Sequence, residues 1–385
     1  MRKLLLVALI ACNSRKRHER PPPDPTPAPV PAPADAAAPA WPELANQPHV
    51  EPNFVVAIPT KSDQPRFEVG GPAIVGDLAL VASSQFGFAA VDWRRGQIAW
   101  VKPSGPHVAP PVGVDGNAVF LGACANPPDD VPDLLGCLRV VTPDGRDQAN
   151  LAIRGNARPF ADAVGTQDVW RDGDHAVRWR RGEQAIRVDL LSGVAVPAPS
   201  EPPPLVIAYK GKTWKVRHDA DGTIVAKGPP DWRSQRAYTE LLGAVYLPEQ
   251  APMVRVANRG AFHGAPEIQL MDMDATGSMH GQVAFPVPGI AVMSHAISSV
   301  GDAALAIRLD SSLRRDFVVG YAASALLMWV WPLPMLTRAD PVGVAIAPEA
   351  VVVFHDGDTV TILPELSAPP TAPGAVKAPS QNPTP

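Results

Sequence analysis

Between about Phe54 and Leu366 the apolar residues fall in short runs of four to seven, rich in Val, Ala, Ile and Leu and cut by Gly, Asp and Pro. No long stretch repeats its apolar positions with the 3.6-residue period of an amphipathic helix, so the pattern predicts strands and turns. The clearest unit runs from Gly71 to Gly105 and parses into four strands. Ala73–Val75 is the first, turned by Gly76-Asp77. Leu78–Ala82 and Phe86–Asp92 follow, and a turn at Arg94-Arg95-Gly96 leads into Gln97–Val101.

The unit recurs. A second copy starts at Pro110, where Val114-Asp115-Gly116 lines up with Val75-Gly76-Asp77 and the turn Pro143-Asp144-Gly145 takes the place of the turn at Gly96. Further copies are expected over 158–197, 203–229, 240–287 and 291–334, with a last one beginning at Asp340. The turn glycines 96, 145, 193, 222 and 277 are spaced by 49, 48, 29 and 55 residues. Four-stranded antiparallel units repeated about seven times are best accommodated as a closed, all-β propeller, which leaves only short sheet edges exposed. Phe54–Ile58 (FVVAI) is placed to close the ring beside the incomplete last unit. Eight blades, or β-sandwich domains, are the alternatives.

The two ends differ from this body. Arg2 and Lys3 precede an apolar stretch, Leu4–Ala11, which is too short to span a bilayer but suits the apolar part of a secretion signal. Leu9-Ile10-Ala11-Cys12 resembles the lipobox of bacterial lipoproteins. The resemblance implies lipid attachment at Cys12, removal of residues 1–11, and a membrane-anchored protein facing the periplasm, on the outer rather than the inner membrane. Arg15, Lys16, Arg17 and Arg20 follow directly and oppose export, so a cytosolic chain is the alternative. From Pro21 prolines recur at nearly every second position, which excludes helix and sheet and predicts an extended spacer over residues 12–50. About 25 such residues reach roughly 80 Å. Trp41 is a lone aromatic within that spacer, and the tail 367–385 has the same Pro-rich character.

Composition adds limits. With 385 residues, 34 Lys plus Arg against 38 Asp plus Glu and a net charge of −4, the chain lacks the basic excess of a nucleic-acid binder. Hydrophobic residues at 46 % are enough for a core, and the 47 prolines stand well above the usual level of roughly 5 %. Three cysteines are present. With Cys12 assigned to lipid, Cys124 and Cys137 flank one loop between neighbouring strands, where a disulfide fits and would favour an oxidising compartment; two free buried thiols are the alternative.

Ala90-x-Asp92-x-x-x-Gly96-x-x-x-Trp100 resembles the tryptophan-docking repeat of pyrroloquinoline-quinone-type propellers. In that family the Asp and Gly shape the turn between a blade's last two strands, and the Trp packs on the neighbouring blade. Later copies depart from the pattern. Ala149 stands near the Trp position of the second unit and Pro197 at that of the third, while Trp329 and Trp331 in the sixth lack the Gly. The resemblance implies one of two functions. Quinoprotein dehydrogenases of the family hold the quinone and a Ca²⁺ in the central funnel, often beside a disulfide of adjacent cysteines; this sequence has no adjacent pair. Non-catalytic relatives include the propeller lipoprotein of the outer-membrane β-barrel assembly machinery, a scaffold. The expectation is the second class: a monomeric, non-catalytic module without cofactor or metal, binding an envelope protein or peptide.

Other chemistry is sparse. The nine histidines form no HExxH and no close pair, so no zinc site is expected. His218-Asp219 with Asp221-Gly222, His355-Asp356 with Gly357-Asp358, and Asp272 with Asp274 and Thr276 all read as turn residues before ligands. The apolar run Ala322–Leu336 carries two prolines and is expected as a buried strand whose Trp329 and Trp331 point the same way.

Overall fold

In a computed structural model of the chain, the described residues are 48–60, 69–126, 133–163, 165–245, 252–262, 265–274, 277–286, 291–310, 315–324, 326–334 and 342–366. Cys12, Trp41, and the spacer and tail expected at the ends lie outside them, apart from Pro48 to Val50.

The chain forms seven four-stranded antiparallel sheets, each a blade of a β-propeller. Six are continuous in sequence: 69–102, 112–154, 167–198, 205–237, 240–286 and 291–332. The seventh takes three strands from 343–364 and its outermost strand from Phe54–Ala57, which pairs antiparallel with Thr359–Pro364. That closes the ring with strands from both ends, as Phe54–Ile58 predicts. One helical turn, Arg158–Ala161, is the only helix among the described residues.

We letter the strands of each blade A to D from the inside outward. In blade 1 these are Val69–Val75, Leu78–Ser83, Gly87–Asp92 and Gln97–Lys102, close to the four strands the alternation predicts. The middle strands B and C are buried on both faces, whereas strand D alternates exposed and half-buried positions. Innermost strands lie beside one another around the centre, with Val69–Val75 between Gly343–Ala347 of blade 7 and Val112–Val114 of blade 2. The core is therefore a set of slabs between blades. Blade 1 packs on blade 2 through Leu80, Ala90, Phe88 and Phe120, and blade 2 on blade 3 through Val119, Leu138, Val140, Ile186 and Trp179. No single blade could bury its own apolar face, so stability comes from stacking.

Two boundaries differ from the sequence expectation. The third blade starts at Gln167, because residues 158–161 are spent on the helical turn that seats Phe160 under Trp179. The fourth runs on to Ala237, because Gly222 closes the B–C turn of that blade; its C–D turn is the later Gly228-Pro229-Pro230-Asp231. An Asp-x-x-Gly turn serves either position, which also explains the short 29-residue interval.

Candidate functional site

The A–B and C–D turns of each blade lie at the same end of its sheet. At that end the fourth strand of one blade meets the C–D turn of the next. In blade 1, Leu80 pairs with Ala90 and Ala90 with Trp100, a row two residues in from the A–B turn. The turn itself is set by the Gly96 amide donating to the Asp92 carbonyl (2.8 Å) and the Arg95 amide to the Asp92 carboxylate (3.0 Å). Trp100 projects onto blade 2. Its ring meets Phe120 edge-on at 5.7 Å, and its indole N–H donates to the Pro143 carbonyl at 3.4 Å. A Cβ on Gly145 would stand 2.7 Å from that ring. Gly145 also has φ +85°, so only glycine serves both the turn and the docked ring.

The same row recurs on both sides. In blade 7, Val352 pairs with Ile362 and Ile362 with Phe54, whose ring lies against Gly96 of blade 1. In blade 2, Val119 pairs with Val140 and Val140 with Ala149. All three rows start two residues beyond a two-residue A–B turn. Phe54, Trp100 and Ala149 are thus equivalent positions, filled by an aromatic in two seams and by a methyl group in the third. Around the rest of the ring the seam is filled differently. Trp232 of blade 4 covers Gly277 of blade 5, leaving a cavity of only about 10 Å³. Blade 5 places the Arg255–Asp272 ion pair there, and Arg255 also donates to the Ser298 and Ser299 carbonyls of blade 6. Trp329 and Trp331 of blade 6 are buried on one face against blade 7. Blade 3 lacks the register shift that precedes Trp100, so Pro197 shares a face with Ile186 and Trp179, and Val196 lies on the opposite one.

Where Ala149 stands, the blade 2–3 seam opens into a cleft of about 370 Å³. Its floor is Val114, Val119, Val140 and Ala149 of blade 2, and its far wall is Leu190 and Leu191 from the C–D turn of blade 3. Asp115 and Asp174 stand at the mouth, both bonded to Arg171 of blade 3 at 2.7 and 2.9 Å. The wall is held by Asp189, whose carboxylate accepts from the Ser192 hydroxyl (2.7 Å), the Ser192 amide (2.8 Å) and the Leu191 amide (3.1 Å). The Ser192 hydroxyl and amide hold this carboxyl below its ordinary range. Leu191, Val194 and Val196 beyond it are 75 %, 54 % and 49 % exposed, an apolar strip on the outer edge of blade 3. A second, 270 Å³ hollow lies at the blade 7–1 seam beside Phe54, bridged by Arg94 between Asp77 and Glu349.

At the opposite end of blade 2, on the face turned to blade 1, Cys124 and Cys137 form a disulfide within the blade, with Cα atoms 4.9 Å apart. It closes the loop between strands B and C of blade 2, and a 13-residue separation of this kind contributes about 3 kcal/mol in the entropic account. Beside it a Cβ on Gly136 would meet Trp179, which stacks edge-on with Phe160 at 4.9 Å.

The turn residues singled out in the sequence do not converge. His218 bonds the Tyr238 carbonyl, and His355 is enclosed by Asp356 and Thr361. Asp221 is held down to about 2 by the Thr223 hydroxyl and amide and by Arg233. Asp272 is taken by Arg255, and Asp274 accepts from the Ser278 amide and pairs with His280. Burial raises Glu240, but His295 and Arg259 outweigh it and pull the carboxyl below its ordinary range. Among the described residues no group of three His, Cys, Asp or Glu is placed to hold a metal ion, and no helix is long and apolar enough to cross a membrane.

No protein-family model matches the chain, and no curated protein sequence matches it. Solved propellers do. A chain in the crystal structure of the mitotic checkpoint complex is 12 % identical, with 84 % of this chain and 94 % of that one covered and a TM-score of 0.46. The β-propeller domain of Cps50 (Swd1) from Myceliophteria thermophila is 9 % identical over 81 % and 99 %, with a TM-score of 0.45. BamB from Moraxella catarrhalis is 10 % identical over 77 % and 85 %, with a TM-score of 0.35. At these identities the likeness concerns the fold alone.

Proposed function

We propose that this chain is an exported, monomeric propeller that binds a protein partner in the cell envelope, carries out no chemistry itself, and is tethered by lipid on Cys12. The observation that carries the binding reading is the set of exposed aliphatic side chains Leu191, Val194 and Val196, left in water along the outermost strand and last turn of blade 3. Folded monomers seldom leave adjoining aliphatic side chains so exposed without a partner for them. The disulfide supports export, since such bonds persist in oxidising compartments. Residues 1–11 then act as the signal, 12–50 as a spacer between membrane and propeller, and 367–385 as a second polar arm.

The tests are direct. Labelled palmitate should enter the full chain and not Cys12→Ala, which should move to the soluble fraction; an unlabelled wild-type chain removes the anchor from the proposal. Crosslinking in intact envelopes should yield one discrete adduct that Leu191→Asp with Val196→Asp abolishes. An adduct unchanged by both substitutions would move the partner surface elsewhere. Titration with pyrroloquinoline quinone and Ca²⁺ should give neither tight binding nor alcohol oxidation, and turnover in that assay would replace the scaffold with an oxidoreductase.

A further inference from the structure

We propose that the blade 2–3 cleft is a docking slot for an aromatic side chain of the partner, carried on an extended segment with a Lys or Arg beside it. This deepens the protein-binding reading and rests on it. The chemistry of the occupant follows from the ring itself. At the same row of the two preceding seams stand Phe54 and Trp100, each lying against the turn glycine of the next blade, whereas in the blade 2–3 seam that glycine, Gly193, is met farther along the strand by Leu151 and the Ala152 carbonyl. Blade 2 has the same row and the same turn length, and shares with blade 1 the register shift just before the position, yet ends in Ala149. With no ring at that position the cleft measures about 370 Å³, against about 270 Å³ beside Phe54, and is within the usual range of a ligand pocket.

The slot is built for a flat apolar body. Val119, Val140 and Ala149 form one wall and Leu190 and Leu191 the other, and among the described residues no large side chain occupies the space between. Its mouth is polar, with Asn117 and Gln148 as well as the two carboxylates. Asp115 and Asp174 share one guanidinium, that of Arg171, which leaves a surplus negative charge at the opening. A cationic neighbour of the inserted ring meets that charge, while an acidic one is repelled. Leu191 itself is 75 % exposed, so the rim of the slot on the blade 3 side is aliphatic.

The probe is the peptide Ac-Lys-Trp-Lys-NH₂ with 5-fluorotryptophan at its centre, followed by ¹⁹F NMR against the full chain, which keeps the protein's own tryptophans silent. Saturable binding in the range of about 1 mM or tighter is expected. Replacing the central residue by Ala, or both lysines by Glu, should weaken it about tenfold or more. Ala149→Trp, which fills the slot from within as Trp100 does, should abolish binding. Leu191→Asp, at an exposed position where folding is not at stake, should weaken it by a similar factor. Wild-type affinity in either variant, or no binding at all, overturns the slot. So does stronger binding in Trp41→Ala, since the chain's own arm would then be the occupant. If the peptide fails while the envelope adduct persists, the slot is wrong and the binding surface stands.

Discussion

The blade 1–2 and blade 2–3 seams are built on one register and solved in opposite ways. In the first, Trp100 seals the turn end by lying over Gly145 and donating to Pro143. In the second, Ala149 leaves that end open, and the large aromatics sit at the other end, where Phe160 and Trp179 pack beneath the Cys124–Cys137 loop. A ring of stacked sheets can move its seam packing from one end to the other without changing blade geometry, because neighbouring blades touch over the whole sheet face. An open seam in such a ring is therefore not a weak one, provided its far end is fastened.

That statement can be broken. Removing the disulfide within blade 2, which lies between the two seams, should cost most. Cys124→Ser with Cys137→Ser is expected to lose about 3 kcal/mol in denaturant unfolding, and to abolish the mobility difference between reduced and unreduced gels. A loss near zero would mean that blade 2 presents both seams without the bond. Trp100→Ala comes next, at about 2 kcal/mol, because the ring is only half-buried and its removal exposes Phe120 and the turn of Gly145. It should create at seam 1–2 a cleft like that of seam 2–3, detectable as a second binding event in the peptide titration. In the other direction, Ala149→Trp should raise stability by about 1 kcal/mol as it closes the open end. A destabilised variant would show that Leu190 and Leu191 cannot part to admit a ring.

Much of this was legible beforehand, for identifiable reasons. Strands such as Leu78–Ser83 and Ala350–His355 announce themselves as apolar runs because both faces are buried between blades. Phe54–Ala57 could be assigned to ring closure because the last unit lacked a fourth strand. Outermost strands were harder. Trp232–Ala237 reads as polar, since only one of its six residues is buried, and the Pro-Pro-Asp before it looks like an ending. That hid Trp232, which docks on Gly277 without the Asp-x-x-x-Gly-x-x-x-Trp spacing. Ala149 was visible at the Trp position, but spacing alone makes a missing aromatic look like decay of the repeat. That its place stays open depends on Leu190, Leu191 and the Arg171 bridge across the seam, and none of these has a local sequence signature.

Acid should separate the two seams by the smallest margin, through the carboxylates of their turns. Asp144, in the turn that receives Trp100, is held below its ordinary value by the Thr142 hydroxyl and by Arg146. Asp189, in the turn that walls the cleft, is held down by the Ser192 hydroxyl and amide. A carboxyl depressed in the folded state stabilises fully above its unfolded value of about 4, and that contribution is lost as pH falls through the lower folded value. Stability should therefore be flat from pH 7 to about 4 and decline below it. Asp144 is exposed and its turn is overlaid by Trp100, so its protonation should leave that seam closed. Protonation of Asp189 weakens the bonds that hold the Leu191 turn, which is tied to blade 2 by the Arg154 amide donating to the Gly193 carbonyl and not by an overlying ring. Peptide affinity for the cleft should fall in the same acid range, and Asp189→Asn should lower it already at pH 7, where Asp144→Asn leaves it unchanged. Equal effects of the two substitutions would mean that the open seam is held by its far end alone.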